Sequence, residues 1–110
     1  MDYISGRNER SKKDIPLNKI IFITANDDDV YIKTLEGYFK ILEKLYYFEE
    51  STKLGFLRVS KSFVVNITKI RELSPLFNSK IKLRMIDGEL IYVNRTYVRN
   101  FKEFIKKGVV

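Results

Sequence analysis

FLRVSKSFVVNITKI, residues 56–70, interleaves aromatic, aliphatic and cationic residues up to Lys61 and then runs apolar through Phe63, Val64 and Val65 to a single amide, Asn66. A short apolar run bounded by polar residues has the length of a buried strand, not of a helix. An amide closing such a run either satisfies backbone groups inside the fold or faces a partner. Buried polar groups are overwhelmingly paired, so Asn66 is assigned to the fold, and Phe56, Val59, Phe63, Val64 and Ile70 to the core. Ser60 and Lys61 are what the stretch holds out.

Downstream, RELSP (71–75) ends at Pro75, and KIKLRMI (80–86) alternates, with Ile81, Leu83 and Met85 on one face and Lys80, Lys82 and Arg84 on the other. A two-residue Asp87-Gly88 connection to ELIYVN (89–94) predicts a hairpin. RTYVRNFKEFIKK (95–107) changes to helical period. Tyr97, Val98, Phe101, Phe104 and Ile105 share its apolar side; Arg95, Arg99, Lys102 and Lys106 gather opposite. Asn94 can cap this helix, and Lys106, Lys107 and Gly108 suit its end.

Upstream, LNKIIFIT (17–24) reads as a buried strand, ANDDD (25–29) as a turn, and DVYIKT (29–34) and YFKI (38–41) as a hairpin around LEG (35–37). ILEKLYYFEE (41–50) carries Ile41, Leu42, Leu45 and Phe48 at helical spacing and predicts a middle helix. Residues 1–15 are polar and without period, which predicts a flexible tail or linker remnant ahead of one domain over 16–110. The fold class is mostly β with short helices.

The chain has 110 residues, no cysteine and no histidine. Disulfides, thiolate chemistry and the commonest general base and transition-metal ligand are thereby removed, and no cofactor is expected. No apolar run approaches the roughly 20 residues that span a bilayer, so a cytoplasmic protein is expected. Residues 1–50 hold 8 Lys/Arg against 10 Asp/Glu, and residues 51–110 hold 13 against 4, so the net charge of +7 belongs to the second half. Such a distribution suits a polyanionic partner, nucleic acid first and an anionic membrane surface second, or else a solvated face that keeps the domain soluble.

Other constellations carry less. Asp27, Asp28 and Asp29 lack the spacing of a calcium loop and are read as a turn. Ser60, Lys61 and Ser62 have no sign of the burial that a catalytic lysine needs, so no enzyme is expected. Lys80, Lys82 and Arg84 are read foremost as charges that protect an edge strand. The tyrosines and phenylalanines show no base-stacking cluster, and most are assigned to the core.

Phe56 to Asn66, with Ile70 following, resembles the signature of the LytTR DNA-binding domain, F-x-R-x-H-R-S-[YF]-[IV]-V-N-x-x-x-I. The flanking order is similar to that family too: strand and hairpin, a helix near Ile41, the signature, Asp87-Gly88, the strand Leu90 to Asn94, and Arg95-Thr96-Tyr97 where the family often has S-R-R-Y. The likeness covers about residues 16 to 107 and implies an elongated β-sheet domain of a bacterial transcription or response regulator, in two-component systems, without catalysis. It implies contact with double-stranded DNA through loops, by two protomers on a direct repeat; the family often carries an upstream receiver domain, and its absence from this sequence is read as either a free-standing regulator or an excised C-terminal portion. The DNA-contacting residues it implies are Lys61, Arg95 and Arg99, then Thr96 and Ser60, and the loop with Asn26, Asp29 and Val30. Ser60 stands where the family usually has His, and Asn94 and Thr96 replace Ser and an Arg, which implies a different target sequence. Two alternatives remain: a protein-interaction module with an incidental basic face, and an RNA or single-strand binder.

Overall fold

A computed structural model of the protein describes residues 3–49 and 55–106. Strands β1 (Tyr3–Arg7), β2 (Lys12–Pro16), β3 (Phe22–Asn26), β4 (Asp29–Thr34) and β5 (Gly37–Ile41) precede the short helix α1 (Leu45–Glu49). After it come β6 (Phe56–Arg58), β7 (Phe63–Asn66), β8 (Ile70–Pro75), β9 (Ile81–Met85), β10 (Leu90–Val93) and the helix α2 (Arg95–Lys106). The strands form an antiparallel sheet of seven, in the order β2-β1-β5-β4-β3-β7-β6, and one of three, β10-β9-β8. The molecule measures 42 × 25 × 23 Å, so the expected mostly β, elongated domain with two helices is what forms.

The apolar runs of β3, β6 and β7 exist because these strands are buried on both faces. Ile23, Phe56 and Val64 enter one core together with Val30, Ile32, Phe39 and α1 residues Leu45 and Phe48. Their chain neighbours Phe22, Leu57 and Val65 enter the other, against Ile81, Leu83, Met85, Ile91, Val93 and Phe101. The seven-stranded sheet is therefore a partition, with α1 on one face and the small sheet and α2 on the other. Where only one face is covered, the pattern alternates cleanly, as in β9, where Ile81, Leu83 and Met85 are buried.

Asn66 is 2% exposed, and its amide is used within the fold. Nδ2 donates to the Ile20 carbonyl at 2.9 Å, while Oδ1 accepts from the Thr68 N–H at 3.0 Å and from the Thr68 hydroxyl at 2.7 Å. The second pair of bonds caps the 3-10 turn Ile67–Lys69 that leads into β8.

Several expectations are corrected. Residues 3–16 are not a flexible tail but the β1–β2 hairpin, which joins β5 at Arg7 and Lys40 and buries Ile4 and Ile15. Gly6 permits this packing: a Cβ there would stand 3.0 Å from the Phe39 Cβ. The middle helix begins at Leu45, not Ile41; Ile41 ends β5, where it pairs with Val30, and Leu42 is 89% exposed. A 3-10 turn, Leu17–Lys19, opens the LNKIIFIT segment before β3.

The β9–β10 connection is three residues long. Gly88 N–H bonds the Met85 carbonyl and Met85 N–H the Glu89 carbonyl, leaving Ile86, Asp87 and Gly88 in the turn with Gly88 at φ +91°. That is the turn-plus-bulge form of the hairpin, for which glycine is favoured at the left-handed position. Lys80, Lys82 and Arg84 do not protect an edge, because β9 is the central strand of its sheet; Arg84 bonds Glu72 of β8 at 3.0 Å. The phenylalanines largely fill the cores, but the described tyrosines do not: all are exposed or half-buried. Lys107 and Gly108 of the expected helix ending lie outside the described residues.

The sheets are clipped together where β4 meets the β9–β10 turn. Lys33 Nζ lies 2.6 Å from Asp87 Oδ2, with side-chain exposures of 16% and 7%, and packs over the rings of Phe22 and Tyr38. Burial works against the Lys33 ammonium, but the hydrogen bond and charge of Asp87 outweigh it and raise its pKa.

Candidate nucleic-acid interface

Three segments singled out in the sequence are neighbours in the fold, tied by backbone hydrogen bonds. The turn 59–62 between β6 and β7 is closed by Val59 N–H to the Phe63 carbonyl at 3.0 Å, and Ser62 N–H bonds the Ser60 hydroxyl at 3.2 Å. On one side the Ala25 N–H donates to the Ser62 carbonyl at 3.0 Å, fixing this turn beside the end of β3. On the other the Asn94 N–H donates to the Val59 carbonyl at 2.9 Å, fixing the start of α2 beside it. The β3–β4 turn, the Ser60-Lys61 turn and the N-terminus of α2 thus share one rim.

The β3–β4 turn consists of Asp27 and Asp28 between the paired Asn26 and Asp29, with Asp27 in the left-handed region at φ +58°. Aspartate tolerates that conformation, which accounts for Asp27. Lys44 reaches the Asp28 carbonyl at 3.4 Å, and Lys40 lies 3.3 Å from the Asp29 carboxylate. Asn26 is exposed, Asp29 is half-buried in that ion pair, and Val30 is 4% exposed in the core opposite Ile41. The Val30 side chain is therefore removed from the set of contact residues, because strand alternation turns it inward.

Lys61 is exposed and Ser60 half-exposed at the tip of their turn. In α2, Tyr97, Val98, Phe101, Phe104 and Ile105 pack into the core as the period predicts, while Arg95, Thr96, Arg99, Lys102 and Lys106 are exposed. Asn94 serves the helix start, its Oδ1 accepting from the Arg95 N–H at 2.8 Å and its carbonyl from the Tyr97 N–H. Arg95, Arg99, Lys102 and Lys106 line one shallow trough with Ser79 and Glu103. Among the described residues, none of these four cations, nor Lys61, stands in an ion pair. Cations outside ion pairs suit a phosphate backbone, and they outnumber the acids beside them, Glu103 in the trough and the exposed Asp27 and Asp28 of the neighbouring turn.

Sequence reasoning missed Arg58, which sits inside the turn instead of on its surface. Its Nε donates to the Ser60 carbonyl at 2.8 Å and Nη2 to the Lys61 carbonyl at 2.5 Å, while Nη1 meets the Glu49 carboxylate of α1. The signal available was an arginine three places before the exposed Lys61. No hydrophobic or helical period marks such a contact.

Three loops gather at one rim of a β-sheet, and among the described residues Lys61, Arg95 and Arg99 there stand in no ion pair. The LytTr DNA-binding domain family model matches residues 11–106, and the chain belongs to that family. It is 37% identical over 87 residues to the sensory transduction protein LytT of Bacillus subtilis, covering 78% of this chain and 36% of that protein. It is 30% identical over 92 residues to the transcriptional regulatory protein YpdB of Escherichia coli O6:H1, covering 82% and 38%. The chain thus spans little more than a third of these relatives. In fold it is similar to a solved LytTr DNA-binding domain of a response regulator from Bacillus cereus, with a TM-score of 0.89 over 96% of this chain and 97% of that one, at 24% identity. The match begins at residue 11, inside the β1–β2 hairpin.

Proposed function

We propose that the chain binds double-stranded DNA sequence-specifically and acts, without catalysis, in bacterial transcription control as the output domain of a two-component response regulator. The observation that carries this reading is the rim itself: backbone bonds join the three segments, and Lys61, Arg95 and Arg99 stand on it in no ion pair among the described residues. Lys61 and Arg95 are the leading contacts, followed by Arg99, Thr96, Ser60 and Asn26; Asp29 acts through its pair with Lys40, and Val30 only through its backbone. Two protomers on a direct repeat, an upstream receiver domain and a cytoplasmic location complete the proposal. The larger size of the relatives supports the receiver domain.

The test is fluorescence anisotropy on a duplex selected from a random library. Lys61→Ala or Arg95→Ala should each weaken binding about tenfold, since a good base contact is worth about 1–3 kcal/mol, with the circular dichroism spectrum unchanged. Affinity should fall steeply with salt, each neutralised phosphate adding about 0.9 to the logarithmic slope. Unaltered affinity in both variants would refute the site. Preference for RNA or single strands in direct competition would replace duplex binding by the alternative reading.

A further inference from the structure

Arg58 belongs to the same FLRVSKS stretch as Lys61 but faces inward, its side chain only 21% exposed. One planar guanidinium makes three contacts: the Ser60 carbonyl, the Lys61 carbonyl and the Glu49 carboxylate. The two carbonyls belong to the two residues at the tip of the proposed interface. With a donor on each of its three nitrogens turned to two backbone carbonyls and a carboxylate of the protein itself, this arginine is held inside the fold. What it does is fix the turn: when both carbonyls are drawn toward the guanidinium, the Lys61 side chain is left on the outer side.

We propose that Arg58 is a positioning residue for DNA recognition, which holds the Ser60-Lys61 turn in its presenting conformation and anchors it to α1 through Glu49. The inference rests on the DNA-binding reading above. A turn ordered before binding does not have to be ordered by the DNA, so preorganisation appears as affinity for the correct site. It contributes little on non-specific duplex, where mobile cations suffice. Lysine cannot replace the fork, because a single ammonium lacks the planar set of donors that spans two carbonyls and a carboxylate.

The test uses the full chain, the selected duplex and a scrambled duplex of equal length. Arg58→Lys, which keeps the charge, should weaken the selected duplex about tenfold and the scrambled one less than about twofold, because specificity and non-specific charge attraction are separable. The salt slope should stay that of the wild type. Since Arg58 acts through Lys61, Arg58→Lys in a Lys61→Ala background should add less than about twofold; residues sharing one function are non-additive. Glu49→Gln, which leaves the turn carbonyls on the guanidinium, should give a smaller loss with the same selectivity and guards against poor folding of the Arg58 variants.

Full additivity in the double variant would overturn the proposal. So would equal losses on both duplexes, or a loss explained by the unfolded fraction in a thermal melt. If the wild type does not prefer the selected duplex, the DNA-binding reading fails, and this one with it. If Lys61→Ala weakens binding while Arg58→Lys and Glu49→Gln do not, only the positioning role fails.

Discussion

Asn66→Ala removes the amide that holds the end of β7. The Ile20 carbonyl loses its Nδ2 donor, at 2.9 Å in a site only 2% exposed, and an unsatisfied buried acceptor costs about 1–3 kcal/mol. The turn Ile67–Lys69 loses its cap, worth about 1 kcal/mol. Thr68 is exposed, so water can take over its donors and they add little. The sum is about 2–4 kcal/mol, a large share of the roughly 5–15 kcal/mol typical of a domain. With a urea m value of about 1–2 kcal/mol/M, the midpoint of equilibrium unfolding should move down by about 2 M. Binding to the selected duplex, measured in the cold where both proteins are folded, should be unchanged. A stability loss below about 0.5 kcal/mol, the ordinary range of surface substitutions, would refute the structural role. Weaker binding at full stability would make Asn66 a DNA contact instead.

Asp87→Asn should cost about 1–3 kcal/mol in thermal or chemical unfolding, between the values for exposed and fully buried ion pairs, because it leaves Lys33 without its carboxylate partner. The same pair predicts an alkaline dependence. Lys33 titrates higher in the folded state than its ordinary 10.5, so its contribution is complete below that pH and is lost as pH rises through the folded value. Wild-type stability should then fall more steeply above about pH 10.5 than that of Asp87→Asn; parallel curves would remove the pair from the account. Gly88→Ala places a Cβ in open space but at φ +91°, and should cost about 1 kcal/mol from backbone strain alone, with DNA affinity unaffected.

The parts of the fold that sequence reasoning reached are those with a strict period or a strong turn signal. β9, the hairpin after it, and α2 with its apolar side all formed where alternation, Asp-Gly and the helical spacing placed them. The β1–β2 hairpin was invisible because Ile4 and Ile15 are its only apolar residues in the core. Its order comes from pairing along a neighbouring strand, which leaves no periodic trace. Ile41 and Leu42 mimicked a helical face, but the β4–β5 register captures Ile41 before the helix can begin. Strand order is equally silent in sequence: nothing in Lys80 to Arg84 says that β8 covers one side of β9 and β10 the other. For the candidate site, the α2 cations were visible as a stripe opposite the apolar side of the helix. The bonds that bring them together, Ala25 to Ser62 and Asn94 to Val59, are backbone contacts that any side chain would permit.

Burial of β3 and β7 on both faces leaves the two strands open to a misalignment that alternation would normally forbid. Sliding one past the other by a single residue would exchange apolar side chains between two apolar cores, so hydrophobicity alone barely penalises the slip. Asn66 would then lose Ile20 and be left with a buried amide unmatched. One polar side chain therefore acts as the alignment mark of the central seam. Because Lys61 lies five residues before it on the same strand connection, the mark also determines where along the rim of the sheet that lysine stands.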